Sequence, residues 1–136
     1  MTKPILCLDF DGVIHSYTSG WKGAHNIPDP PVEGAIEFMG AALEAGWDVV
    51  IHSSRAAYFG GIPAMRAWLK EHAGNMFYDT PAGTGLERVQ FTRMKPSAFI
   101  TIDDRALTFD GTWPSKVNAR SSMVMKAAGF SVGHSI

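Results

Sequence analysis

The chain reads as an α/β protein, a three-layer, doubly wound parallel sheet of the Rossmann-like kind. Three observations predict this. Short apolar runs recur along the chain, at Ile5 to Leu8, Trp47 to Ile51 and Ala98 to Ile102, and such runs suit strands buried in a parallel sheet. Stretches of helical period lie between them, Val32, Ile36, Met39 and Leu43, then Ile62, Met65, Leu69 and Ala73; strands alternating with helices build a parallel sheet covered on both faces. Acids or hydroxyl groups follow the runs, at Asp9 and Asp11, Ser53, and Asp103 and Asp104, and open parallel sheets bind ligands beyond the carboxyl ends of their strands. At 136 residues and 46% hydrophobic content the chain is expected to form one domain, 1–136, with a real core.

The first strand, Ile5 to Leu8, runs into Asp9-Phe10-Asp11-Gly12. On an extended chain the two acids, at i and i+2, point to the same side. Side by side at the edge of a core they repel and are costly to desolvate, so a positive charge should offset them. A divalent cation is the simplest candidate, and Mg²⁺ suits hard oxygen ligands; two solvated acids at a strand end are the alternative. Residues 12–28 read as an irregular flap broken by Gly12, Gly20, Gly23 and Pro28, with Val13 to Tyr17 as one arm of a small hairpin. His15, Tyr17, Trp21, Lys22 and His25 fall on this segment, either covering the core edge or touching a substrate's leaving group. Zinc on His15 and His25 is not expected, because no further ligand stands at the right spacing.

Asp29-Pro30 predicts a helix start, Asp as N-cap and Pro at the first helical position, and Gly46 fits its end. The second strand, to Ile51, leads into His52-Ser53-Ser54-Arg55. His52 is expected to pack as a strand residue. Arg55 has two readings, a bond to substrate phosphate or to a surface acid. Ile62-Pro63 opens a second helix, which Trp68 extends on its apolar face and Gly74 ends. Met76 to Tyr78 is expected as a short strand and Val89 to Thr92 as another. The loop Pro81 to Gly85 lacks the Gly-Lys-Ser/Thr of a P-loop. Lys95-Pro96 precedes the strand Ala98 to Ile102, which closes on Asp103-Asp104-Arg105. Phe109 and Trp113 are expected to pin the following loop to the core, with a last helix from Ser115 to about Ala128 and a short tail from Gly129.

Net charge is −1 and charged residues make up 18% of the chain, below the usual ~25%. Neither figure points to a broad nucleic-acid or membrane surface. Cys7 is the single cysteine and is expected as a small buried apolar residue. No apolar run approaches the ~20 residues of a membrane span, and the N-terminus does not read as a signal peptide, so a cytoplasmic location is expected.

The pattern Asp9-x-Asp11-Gly12-Val13 after an apolar strand resembles the first motif of the haloacid dehalogenase superfamily of phosphohydrolases. Ser53 after the second strand resembles the family's second motif, Lys95 before a proline its third, and Asp103-Asp104 its fourth, all in the family's order. The resemblance covers nearly the whole chain. It implies an aspartyl-phosphate mechanism with Asp9 as nucleophile and Asp11 as general acid and base, Ser53 and Lys95 steadying the phosphoryl group. Ser54 and Arg55 join Ser53 and Lys95 as substrate-binding candidates. Mg²⁺ would be held by Asp9, the Asp11 backbone carbonyl and Asp104, with Asp103 acting through water or holding Lys95. An acid at position 11 favours phosphatase over dehalogenase, since the dehalogenase branch lacks it.

The intervals from 11 to 53 and from 53 to 95 leave no room for the family's cap domain. An open site suits a phosphate at the end of a polymer, and the stretch Lys95 to Ala106 is similar to phosphatase domains of phage-type polynucleotide kinases. The implied partner is a phosphorylated small molecule or a nucleic-acid end carrying a 3′-phosphate, with no membrane partner. The alternative is a non-catalytic module of the same fold that keeps the metal and phosphate site.

Overall fold

The computed structural model describes residues 2–106 and 109–113. The expected last helix and the tail lie outside these residues. The chain divides into two compact units, Met1–Asp103 and Asp104–Ile136, each described by itself.

The first unit is built on four parallel strands, β1 (Ile5–Leu8), β2 (Asp48–His52), β3 (Gln90–Thr92) and β4 (Ile100–Ile102), in the order β3-β2-β1-β4. Leu8 lies opposite both Ile51 and Ile102, and His52 lies opposite Thr92. Because all four strands run the same way, the residues after β1, β2 and β4 emerge at one edge of the sheet. Helix α1 (Ala35–Glu44) joins β1 to β2, and α2 (Gly61–Ala73) lies between β2 and β3. This is an α/β fold of the Rossmann-like kind.

The helical periods of the sequence are the buried faces. Ile36, Met39 and Leu43 of α1 and Met65, Leu69 and Ala73 of α2 join Leu6, Leu8, Phe10, Val49 and Ile51 in one core, with Trp68 widening the α2 face as expected. Burying each large aliphatic side chain contributes about 1.5–3 kcal/mol. Gly46, at φ 95°, ends α1. Cys7 is buried in β1.

Several expected boundaries move. Helix α1 starts at Ala35 behind Gly34, not at Pro30, because the Asp29 carboxylate is committed elsewhere: it accepts from the Ser19 amide at 2.8 Å and the Ser19 hydroxyl at 2.6 Å. Val13 to Tyr17 is no hairpin arm. Its pairing is limited to isolated bridges of His15 with Asp11 and with Pro31, since the amides of Val13, Ile14 and His15 all turn back to the Phe10 carbonyl. Met76 to Tyr78 is not a strand; a 3₁₀-helix, Gly74–Phe77, continues the turn out of α2. In the second unit Phe109 and Trp113 are exposed and pack on each other, ring centroids 4.7 Å apart, rather than on a core.

Candidate functional site

Asp9 stands directly after β1, its amide bonded to the Ile102 carbonyl at the end of β4 at 3.0 Å. Asp103 stands directly after β4. Each offers a carboxylate oxygen, the two within 4.8 Å of one another, so two acids ninety-odd positions apart meet because β1 and β4 are neighbours in register. Asp9 Oδ1 also accepts from the Phe10 amide at 2.9 Å. Asp104 follows Asp103 by one peptide bond and opens the second unit. Hard carboxylate oxygens are the donor chemistry Mg²⁺ takes, so the Asp9 and Asp103 pair fits such an ion.

Lys95 is exposed in the loop between β3 and β4. Its charge is felt at Cys7 in β1. Burial pushes the Cys7 thiol up, the Lys95 ammonium pulls it back down, a hydrogen bond to Thr101 does the same, and the Asp9 and Asp103 carboxylates add to the rise. One thiol in the middle of β1 senses all three charged groups.

Ser53 is buried after β2 and caps the 3₁₀-helix Ser54–Ala57, its hydroxyl oxygen accepting from the Arg55 amide at 3.2 Å. Ser54 is exposed. His52 is half-buried at the end of β2, as a packed strand residue should be.

The Asp11 carboxylate has different company from Asp9. The chain leaves the strand after Leu8 and turns at Gly12, φ 86°, so the two-residue alternation of a strand does not extend over positions 9 to 11. The charge that offsets Asp11 is Arg55. The Arg55 Nε donates to both Asp11 oxygens, at 3.1 Å to Oδ1 and 3.0 Å to Oδ2. Its Nη1 donates to the carbonyls of Gly23, Ala24 and Asn26 at 2.9, 3.1 and 3.3 Å. Arg55 is wholly buried, and its acid partner is the part-buried Asp11 and not a surface acid. Trp21 lies over the guanidinium, 4.8 Å from carbon to ring centroid, and its ring centroid is 5.7 Å from that of Tyr58.

His15 also holds Asp11. It is wholly buried, its Nδ1 2.8 Å from Asp11 Oδ1 and its Nε2 3.1 Å from the Asp29 amide. Phe10, Trp68 and Tyr17 pack around the ring, and Tyr17 sits at φ 63°, a positive angle that a non-glycine residue rarely adopts. Trp68 donates in turn to the Asp29 carbonyl at 3.1 Å. His25 is elsewhere, its Nε2 at the Phe59 carbonyl. Of the flap residues, sequence reasoning left the place of His15 open; the signal available was a histidine four positions after Asp11, within reach across a tight turn.

Compared with protein-family models, curated proteins and solved structures, the chain matches none of them.

Proposed function

We propose that the chain is a Mg²⁺-dependent phosphatase that hydrolyses a phosphomonoester through an aspartyl-phosphate on Asp9, on a three-layer fold of the haloacid dehalogenase type. The observation that carries this reading is the approach of the Asp9 and Asp103 carboxylates within 4.8 Å at the sheet edge where Ser53 also emerges. Two acids brought together by strand register offer the hard oxygens that Mg²⁺ takes, and the Lys95 charge acts on the same strand, at Cys7.

In this reading Asp9, the Asp11 carbonyl and Asp104 would hold the ion, as the resemblance implies, with Asp103 acting through water or on Lys95. The ion, when bound, screens the phosphate charge from the attacking carboxylate. An Asp9 oxygen forms a bond to phosphorus as the bond to the leaving oxygen breaks, and Asp11 gives that oxygen a proton. Asp11 then takes a proton from the water that attacks the aspartyl-phosphate, releasing phosphate and restoring Asp9. Ser53 and Lys95 stabilise charge on the transferring group. The substrate class is a phosphorylated small molecule or nucleotide, or a nucleic-acid 3′-phosphate.

The test is phosphate release from a panel of an aryl phosphate, nucleotides, sugar phosphates and 3′-phosphorylated oligonucleotides. Turnover with Mg²⁺ is expected, abolished by EDTA and reduced by several orders of magnitude in Asp9→Asn, which is nearly isosteric. Activity that persists in EDTA, or an Asp9→Asn protein that turns over normally, would refute it.

A further inference from the structure

We propose that His15 is a positioning residue that selects which oxygen of Asp11 handles the proton; this rests on the phosphatase reading above. The argument begins at the far side of the ring. A backbone N–H can only donate, so the Asp29 amide at 3.1 Å makes Nε2 an acceptor; the Asp29 carboxylate also faces Nε2, but its Oδ2 stands 3.7 Å away, beyond hydrogen-bond distance. The ring proton therefore sits on Nδ1 and is donated to Asp11 Oδ1 at 2.8 Å. The ring cannot turn to exchange these roles, because it is wholly buried and enclosed by Phe10, Trp68 and Tyr17.

The two oxygens of Asp11 thus become unequal. Oδ1 accepts from His15 Nδ1 and from Arg55 Nε at 3.1 Å, while among the described residues Oδ2 accepts from Arg55 Nε, at 3.0 Å. An oxygen already receiving two N–H groups is poorly placed to carry a proton. Oδ2 is left as the oxygen that gives its proton to the leaving group and recovers one from the attacking water. Arg55 holds the carboxylate's plane, and His15 breaks its symmetry. The backbone of Asp29, fourteen residues downstream, fixes the tautomer on which this depends.

A group that only maintains the fold would affect all substrates alike, whereas one that orients a general acid matters when the leaving oxygen needs a proton. The experiment compares kcat/KM, which reports through the first phosphoryl transfer, for an alkyl phosphate and for p-nitrophenyl phosphate. His15→Gln keeps an acceptor for the Asp29 amide but gives up the donor near Asp11; His15→Asn keeps an amide N–H near the Nδ1 position. Since general acid catalysis is worth ~10²–10⁴, His15→Gln is expected to lose about 10–100-fold on the alkyl ester and less than about threefold on the nitrophenyl ester. His15→Asn is expected to recover most of the alkyl activity.

Equal losses on both esters, or no loss on either, would overturn the role of His15 while leaving the phosphatase reading intact. Wild-type protein inactive on every ester would overturn the phosphatase reading and this inference with it. A second measurement needs no variant to fold. The ¹⁵N shifts of the His15 ring in the wild-type protein should report the proton on Nδ1, and a proton on Nε2 would overturn the inference.

Discussion

Removing the Arg55 guanidinium should be among the most damaging single changes to the stability of this chain. In Arg55→Met the apolar stem is roughly preserved, but the Asp11 carboxylate loses the Nε donor it shares between both oxygens, at 3.1 and 3.0 Å. The Gly23, Ala24 and Asn26 carbonyls lose Nη1 together. Arg55 is 0% exposed and the Asp11 side chain 17%, so water replaces these partners poorly. Breaking a buried ion pair from one side costs about 3–5 kcal/mol, a large share of a domain's total of about 5–15 kcal/mol. At about 4 °C per kcal/mol for a chain of this length, the melting temperature should fall by about 12–20 °C.

Urea denaturation followed by far-UV circular dichroism measures the loss directly. Arg55→Lys should restore little, because one ammonium cannot reproduce the planar fork that reaches a carboxylate and three carbonyls. Adding Asp11→Asn to Arg55→Met should recover part of the loss, since the orphaned charge is then gone. A loss below about 1 kcal/mol in Arg55→Met, with the denaturant slope unchanged, would refute the claim that this pair anchors the flap to the end of β2.

Three further outcomes follow from particular contacts. Gly61→Ala should destabilise, although alanine favours a helix over glycine by about 1 kcal/mol, because its Cβ would stand 1.8 Å from the Arg55 carbonyl oxygen; an unchanged or raised urea midpoint would show that α2 shifts without cost. The Ser19 hydroxyl and then its amide hold the Asp29 carboxyl below its ordinary value, so its contribution is present above the unfolded value of about 3.9 and is lost as pH falls through the folded one; acid melts of wild type should steepen below about pH 4, and an identical profile in Asp29→Asn would remove the basis for this. Mg²⁺ should raise the melting temperature by mass action, and Asp104→Asn should blunt that response more than Asp103→Asn; the reverse order would exchange their roles.

The four strands, the helical faces and the acids at the strand ends were legible in the sequence because each depends on local spacing, though the same signals also read Met76 to Tyr78 as a strand where a 3₁₀-helix, Gly74–Phe77, stands. Apolar runs mark β1 and β2, and a period of three to four residues marks the buried sides of α1 and α2. The start of α1 was not legible, because the carboxylate of Asp29 could cap a helix or serve Ser19 equally well, and only the folded flap offered the second choice. The electrostatic partner of Asp11 was hidden for the same reason. Residues 11 and 55 are joined by 44 positions of chain, and nothing in their spacing distinguishes a cation in solution from a buried arginine. The approach of Asp9 to Asp103 likewise depends on β4 pairing with β1. Local spacing decided which residues stand at the strand ends, and the order of the strands decided which of them meet.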